Sequence, residues 1–235
     1  MKDELTIKPI ARLRGDFTTK FGIPRQSGLA DALRAEIVFE PGYRDENALR
    51  GISGYSHIWL IWGFSGVERE GWSPMVKPPR LGGNKRMGVF ATRSPYRPNP
   101  LGLSCVRLMG VEKRAGQGDV LIVSGADLMD GTPIYDIKPY LSFTDSHPDA
   151  CNGFAQERRD YAVEVVFPDE LLALVPEPKR AALLQALAQD PRPAYIHDPD
   201  TPFGFEYAGL DVRFRVKDAT LTVFRVVDLL FLKEK

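Results

Sequence analysis

The sequence predicts a mainly β protein, an N-terminal β-barrel followed by a small α+β domain. Between residues 5 and 145, short β-branched or aromatic segments recur between Gly, Pro or Asp turn signals, with no helix-length segment separating each pair. That spacing favours an antiparallel barrel or mixed sheet over a doubly wound fold. From about residue 155 the texture changes to helical stripes and then to an alternating hairpin. The expected division is residues 1–155 for the barrel and 156–235 for the appendage.

The strand segments in order are Ile7 to Leu13, Ala35 to Phe39, His57 to Phe64, Gly88 to Ala91, Leu103 to Val111 and Val120 to Ala126. One helix is expected to interrupt them, around Asp45 to Leu49. In the appendage, Asp169 to Leu174 reads as a short helix. Pro178, at a first-turn position, opens a second helix whose Leu183, Leu184 and Leu187 form one apolar stripe. Val212, Phe214 and Val216 then alternate with Arg213 and Arg215, Lys217-Asp218 makes a turn, and Leu221 to Leu232 returns as a strand.

At 235 residues and 43% hydrophobic, the chain can bury one sizeable core and a smaller one. Lys+Arg and Asp+Glu number 31 each, so a nucleic-acid partner must be held by a local patch. No apolar run approaches the ~20 residues that cross a bilayer, and the polar start Met1-Lys2-Asp3-Glu4 is unlike a signal peptide. A cytoplasmic location follows as the expectation, with Cys105 and Cys151 as free thiols. His57, His147 and His197 are scattered, and neither cysteine has a metal-ligand spacing, so no metal is expected.

Between Gly71 and Val111 no acidic residue occurs, while Lys77, Arg80, Lys85, Arg86, Arg93, Arg97 and Arg107 supply positive charge. Such a run is either an anion-facing surface or a solvated face balanced by distant acids. Within it lies Phe90-Ala91-Thr92-Arg93-Ser94-Pro95-Tyr96-Arg97-Pro98-Asn99-Pro100-Leu101-Gly102-Leu103-Ser104. Its prolines fix φ and remove donors, giving a rigid loop that directs Arg93, Tyr96, Arg97 and Asn99 or a stiff connector whose arginines cap nearby carbonyls. Gly83 to Gly88 has P-loop glycine spacing, but Val89-Phe90 stands where Lys-Ser or Lys-Thr is required, and no Rossmann glycine pattern is present.

After the strand at Val120 to Ala126 comes an acidic, turn-rich loop from Asp127 through Tyr140. Asp127, Asp130 and Asp136 are suited to take ribose hydroxyls, an amino group or a proton, and their field suits a sulfonium cation. The competing reading makes Asp130-Gly131 a plain hairpin turn. Pro24-Arg25-Gln26 forms a polar loop, and Asp190-Pro191-Arg192-Pro193-Ala194-Tyr195 is a proline-stiffened loop whose Arg192 and Tyr195 can clamp a nucleotide. The aromatics of Ser53 to Trp62, which leads into Gly63 to Gly66, read as core rather than ligand cage, and His57 as a buried histidine rather than a base.

The stretch Arg80 to Ser104 resembles the signature of the TsaA-like, or TrmO, methyltransferases. So do Pro24-Arg25-Gln26, Ser56 to Trp59, Asp130 to Pro133, Asp136 to Tyr140 and Asp190 to Tyr195, in the right order across about residues 5 to 207. The resemblance implies a β-barrel, homodimeric tRNA methyltransferase using S-adenosylmethionine bound near the subunit interface. Its substrate would be an anticodon stem-loop carrying threonylcarbamoyladenosine, methylated at N6. By residue match the cofactor would contact Pro24, Arg25, Gln26, then Ser65 and Gly66 through backbone, Arg93, Leu103, and the loop Leu128, Met129, Asp130, Gly131 and Thr132.

Methyl transfer from a sulfonium needs alignment more than covalent help. The ureido-like N6 needs a proton acceptor, for which Asp136 and Asp130 are the candidates, with Tyr135 third. Arg93 and Arg97 suit the threonyl carboxylate, Lys85, Arg86 and Arg192 the stem phosphates, and Asn99 and Tyr195 the substrate side. A non-catalytic RNA-binding barrel and a methyltransferase on another substrate stay open as alternatives.

Overall fold

The computed structural model describes residues 4–64, 71–78, 85–158, 161–193, 195–196 and 198–232. The N-terminal strands are β1 (Ala11–Arg14), β2 (Arg34–Phe39), β3 (His57–Gly63), the short pair β4 (Met75–Val76) and β5 (Met87–Gly88), then β6 (Leu101–Arg114), β7 (Gly118–Ser124) and β8 (Pro133–Pro139). Six of them pair in the order β1-β2-β7-β6-β3-β8, and β8 pairs back to β1, closing a barrel without free edges. Period-2 patterning decides which side chains fill it. Ala11 and Leu13, Ala35 and Ile37, Ile58 and Leu60, Val106 and Leu108 point inward and join one buried cluster with Ile134, each large side chain contributing about 1.5–3 kcal/mol. Arg12 and Arg14 take the outward positions on β1.

Among the described residues, two bulges interrupt the ladders of the barrel, one between β6 and β7 at Leu108/Gly110 and one between β3 and β8 at Ile61/Trp62. The segment Gly88 to Ala91 is not a strand throughout, because β5 ends at Gly88 and Val89–Ala91 form a 3-10 turn. Thr92 Oγ1 caps that turn by donating to the Val89 carbonyl at 2.9 Å. The helix expected near Asp45 is likewise a single 3-10 turn, Glu46–Leu49, with Asp45 accepting the Asn47 N–H at 2.9 Å.

After the short helix α1 (Ser142–Asp145) come β9 (Glu164–Val166), α2 (Asp169–Leu172), α3 (Glu177–Ala188), β10 (Phe203–Tyr207), β11 (Leu210–Lys217), β12 (Thr220–Asp228) and α4 (Leu229–Leu232). The second sheet runs β10-β11-β12-β9, antiparallel except for the β12–β9 pair. The return segment expected to continue as a strand to Leu232 instead turns helical at Leu229, giving α4. On α3, Ala182, Leu183, Ala186 and Leu187 are buried against this sheet's inner face.

The second core is not built from the C-terminal residues alone. Phe17, Ala30 and Leu33, from the segment joining β1 to β2, are buried in it beside Phe205, Tyr207 and Phe214. Phe17 packs on Tyr207 with ring centroids 5.1 Å apart. Lys179 Nζ binds Asp16 at 2.7 Å, and Gln185 of α3 accepts the Ala32 N–H at 2.8 Å. Among the described residues no helix is long and apolar enough to cross a membrane.

Candidate active site

Three loops meet where β7 ends. The first is residues 24–28, pinned by a bond from the Gly28 N–H to the Gly125 carbonyl at 2.9 Å. Gly125 takes φ 77°, and a Cβ there would stand 3.2 Å from the Gly28 nitrogen, so the close approach requires glycine. Pro24 is buried. The guanidinium of Arg25 turns toward the C-terminal module and donates to the carbonyls of Asp190 and Arg192, at 3.4 and 3.2 Å. Gln26 donates from Nε2 to the Arg25 carbonyl at 2.6 Å, and its Oε1 accepts from Arg93.

The second loop, residues 89–100, is stitched to itself. Ser94 N–H donates to Thr92 Oγ1 at 3.2 Å, and Arg97 donates to the carbonyls of Thr92 and Ser94 at 3.1 and 3.2 Å. Arg97 thus caps carbonyls of its own loop, whereas Arg93 is exposed and reaches across to Gln26. The prolines fix the path, and these bonds fix the side chains.

The third loop follows β7. Asp127 accepts from Ser104 Oγ at 2.6 Å, and that hydroxyl accepts from Trp62 Nε1 at 3.0 Å. Ser104 is buried, pointing into the barrel from β6, and Trp62 lies flat over Gly102, where any Cβ would collide with the indole. Burial pushes the Asp127 carboxyl above its ordinary range, opposed by the Ser104 hydroxyl, backbone hydrogen bonds including one from Ser27, and the charge of Arg93. All three loops therefore converge on one carboxylate.

Further along, Leu128 and Thr132 are buried, and the Met129 carbonyl accepts from Thr132 Oγ1 at 2.7 Å. Asp130 closes onto the end of β1, with its N–H donating to the Phe17 carbonyl at 2.8 Å and Oδ1 accepting the Gly15 N–H at 3.1 Å. The Gly131 N–H donates to Leu13 at 2.8 Å. Leu103, on the outward face of β6, is 54% exposed and Phe90 is 74% exposed, leaving apolar surface beside the charged loops.

The other expected site residues are distributed differently. Asp136, on β8, accepts the Ile137 N–H at 2.9 Å and pairs with Lys138 at 3.0 Å. The Tyr135 ring covers Gly63. Lys85, Arg86 and Asn99 are exposed, as is Tyr195. The Arg192 guanidinium is largely buried against Asp190 at 3.1 Å, with Tyr161 donating to Asp190 at 2.7 Å. Ser65 and Gly66 lie outside the described residues.

Sequence reasoning passed over Ser104 as a site residue, read Trp62 as core, and passed over Asp190 and Tyr161. The inward alternation of β6 and the glycine at 102 were the available signals for the first two. Nothing local marks Tyr161 as the partner of Asp190.

The family model for the tRNA-methyltransferase O N-terminal domain matches residues 12–146, and that for the TrmO C-terminal domain matches residues 157–229. The chain belongs to the TrmO family. A tRNA (adenine(37)-N6)-methyltransferase of Escherichia coli is 42% identical over 225 residues, covering 92% of this chain and 94% of the relative. A Pseudomonas aeruginosa protein described as an S-adenosylmethionine-dependent methyltransferase is 39% identical over 232 residues, covering 95% and 97%. The crystal structure of TrmO from Pseudomonas aeruginosa superposes with a TM-score of 0.75 at 34% identity, covering 95% of this chain and 99% of that one. The TrmO family's two model segments thus correspond to the barrel and to the sheet that follows it.

Proposed function

We propose that this protein is an S-adenosylmethionine-dependent tRNA methyltransferase acting on N6 of the adenine beside the anticodon, with threonylcarbamoyladenosine as the modified base it recognises. The observation that carries the reading is the convergence of the 24–28, 89–100 and 125–132 loops on Asp127, in a chain of the TrmO family. The residues suit the cofactor. A nearly enclosed carboxylate complements a sulfonium charge, the exposed faces of Leu103 and Phe90 suit an adenosine, and the turn at Met129–Thr132 offers backbone polar groups. When bound, S-adenosylmethionine supplies the methyl group as an electrophile.

Protein groups then have three tasks. The Trp62–Ser104–Asp127 chain fixes the direction of a negative charge that burial partly shields from solvent. Gln26 holds Arg93, whose remaining donors we assign to the threonyl carboxylate, because Arg97 is occupied within its own loop. Asp136, half exposed and oriented by Lys138, is assigned as the group that takes the N6 proton as the new N–C bond forms. Asp130 is assigned to cofactor positioning, since its carboxylate already holds Gly15. Residues 1–155 form the catalytic domain in this reading and 156–235 a tRNA-contacting one. It includes a homodimer, as the family resemblance implies, working in the cytoplasm, and light scattering after gel filtration reads the mass directly.

The test is nucleoside mass spectrometry of tRNA incubated with protein and S-adenosylmethionine, with and without the threonylcarbamoyl group. Gain of one methyl on the modified nucleoside alone is expected; methylation of both, or of neither, removes the assigned substrate. Asp136→Asn is expected to lower turnover by roughly 10²–10⁴-fold, and unchanged turnover sinks that assignment.

A further inference from the structure

The outer face of the second sheet carries an arrangement that folding alone does not require. Along β11, Val212, Phe214 and Val216 point into the core while Arg213, Arg215 and Lys217 point out. On β12, Val223 and Val226 point in. Strict alternation from Val223 would turn Arg225 inward. The ladder slips there instead: Arg213 faces Arg225 and Phe214 faces Val223, so Phe224 is the extra residue and both Phe224 and Arg225 are exposed. A bulge that re-aims one side chain in this way is read as a feature with a purpose rather than as a defect.

Its product is a cross-strand Arg213–Arg225 pair, and like charges directly opposite are destabilising. Arg213 is answered by Asp211 at 2.8 Å and lies across Gly204. Arg215 is held with its guanidinium carbon 4.5 Å from the Phe224 ring centre and with Nε donating to the Asp200 carbonyl at 3.2 Å. Among the described residues, no ion pair joins Arg215, Lys217 or Arg225 to a carboxylate. Besides Asp211, two acids share the face, Glu206 bonded to the Thr18 hydroxyl at 2.7 Å and Glu164 on the far strand β9.

We propose that this face docks the sugar–phosphate backbone of the substrate tRNA, with Phe224 offering an aromatic surface for a base or ribose. Alternate β11 residues stand about 6.7 Å apart, comparable to the spacing of consecutive phosphates on an extended nucleotide chain. A polyanion relieves the Arg213–Arg225 repulsion and finds guanidiniums already held in place. A second copy of the chain is a poor occupant, because a two-fold contact would set arginines against arginines. The inference rests on the tRNA-methyltransferase reading and adds to it the surface that holds the RNA away from the reacting base.

The experiment compares the full-length protein with Arg215→Gln/Lys217→Gln/Arg225→Gln, keeping Arg213 because Asp211 needs it. Binding of tRNA is measured across a potassium chloride series, and binding of S-adenosylmethionine serves as the control. The triple variant is expected to bind tRNA roughly tenfold more weakly, with a salt slope lower by about 2, while cofactor binding is unchanged. Unaltered affinity and slope in a folded variant overturn the docking surface alone. Wild-type protein that neither binds nor methylates tRNA overturns the underlying reading as well. If the variant does not fold, phenylglyoxal modification of the wild type decides: protection of Arg215 and Arg225 by tRNA is expected, and full reactivity at saturating tRNA overturns the proposal.

Discussion

Asp127 is subject to opposing influences whose balance depends on pH. Burial raises its carboxyl above the ordinary 3.8, so the folded state holds the proton more tightly than the unfolded chain does. For an acid shifted upward, the associated stability is fully present below the unfolded value and is lost as pH rises through the folded value. Asp127→Asn is therefore expected to gain melting temperature relative to wild type as pH is raised from about 4 to 7, while binding S-adenosylmethionine more weakly. Thermal melts over that range and cofactor titrations check both halves, and a melting difference independent of pH would show the carboxyl to be unstrained. The sequence marked Asp127 as one acid among several. It did not mark it as the point of convergence, because Ser104 is 23 residues away and Trp62 a further 42 from that serine. Only the closing of the barrel makes them neighbours.

At the scale of elements, two-residue periodicity made the β11–β12 hairpin and the barrel strands other than β8 readable, because alternation is a direct consequence of the pleat, whereas Pro133–Pro139, expected as part of an acidic loop, is strand β8. Departures from that period were not readable. The 3-10 turn at Val89–Ala91 has strand-like residues whose conformation is set by the Thr92 cap, and the Phe224 bulge shows only in the register. The turn between β10 and β11 illustrates a local cost. Tyr207 pairs with Leu210 across Ala208 and Gly209, both at positive φ, 49° and 79°. The left-handed region costs a Cβ-bearing residue about 1–2 kcal/mol, and glycine costs about 0.4–1 kcal/mol through the unfolded chain. Ala208→Gly should therefore stabilise the protein by about 0.5 kcal/mol, the reverse of the usual sign, as read by chemical denaturation.

For the whole molecule, the change of texture near residue 155 was legible, but the ownership of residues 17–33 was not. Phe17, Ala30 and Leu33 carry no sign that their partners lie beyond residue 160, since such contacts leave no local pattern. A fragment of residues 1–155 is expected to expose these side chains, to bind a hydrophobic dye, and to melt less cooperatively than the full chain. Equal cooperativity would place the second core's contribution from this segment near zero.

The same stitch has a consequence for the order of synthesis. Residues 17–33 are made well before the strands that bury Phe17. Until residues 190–192 have been made, the Arg25–Gln26 loop lacks the Asp190 and Arg192 carbonyls that hold it. A nascent chain that already contains every barrel strand still has one wall of the candidate site waiting for residues 190–192.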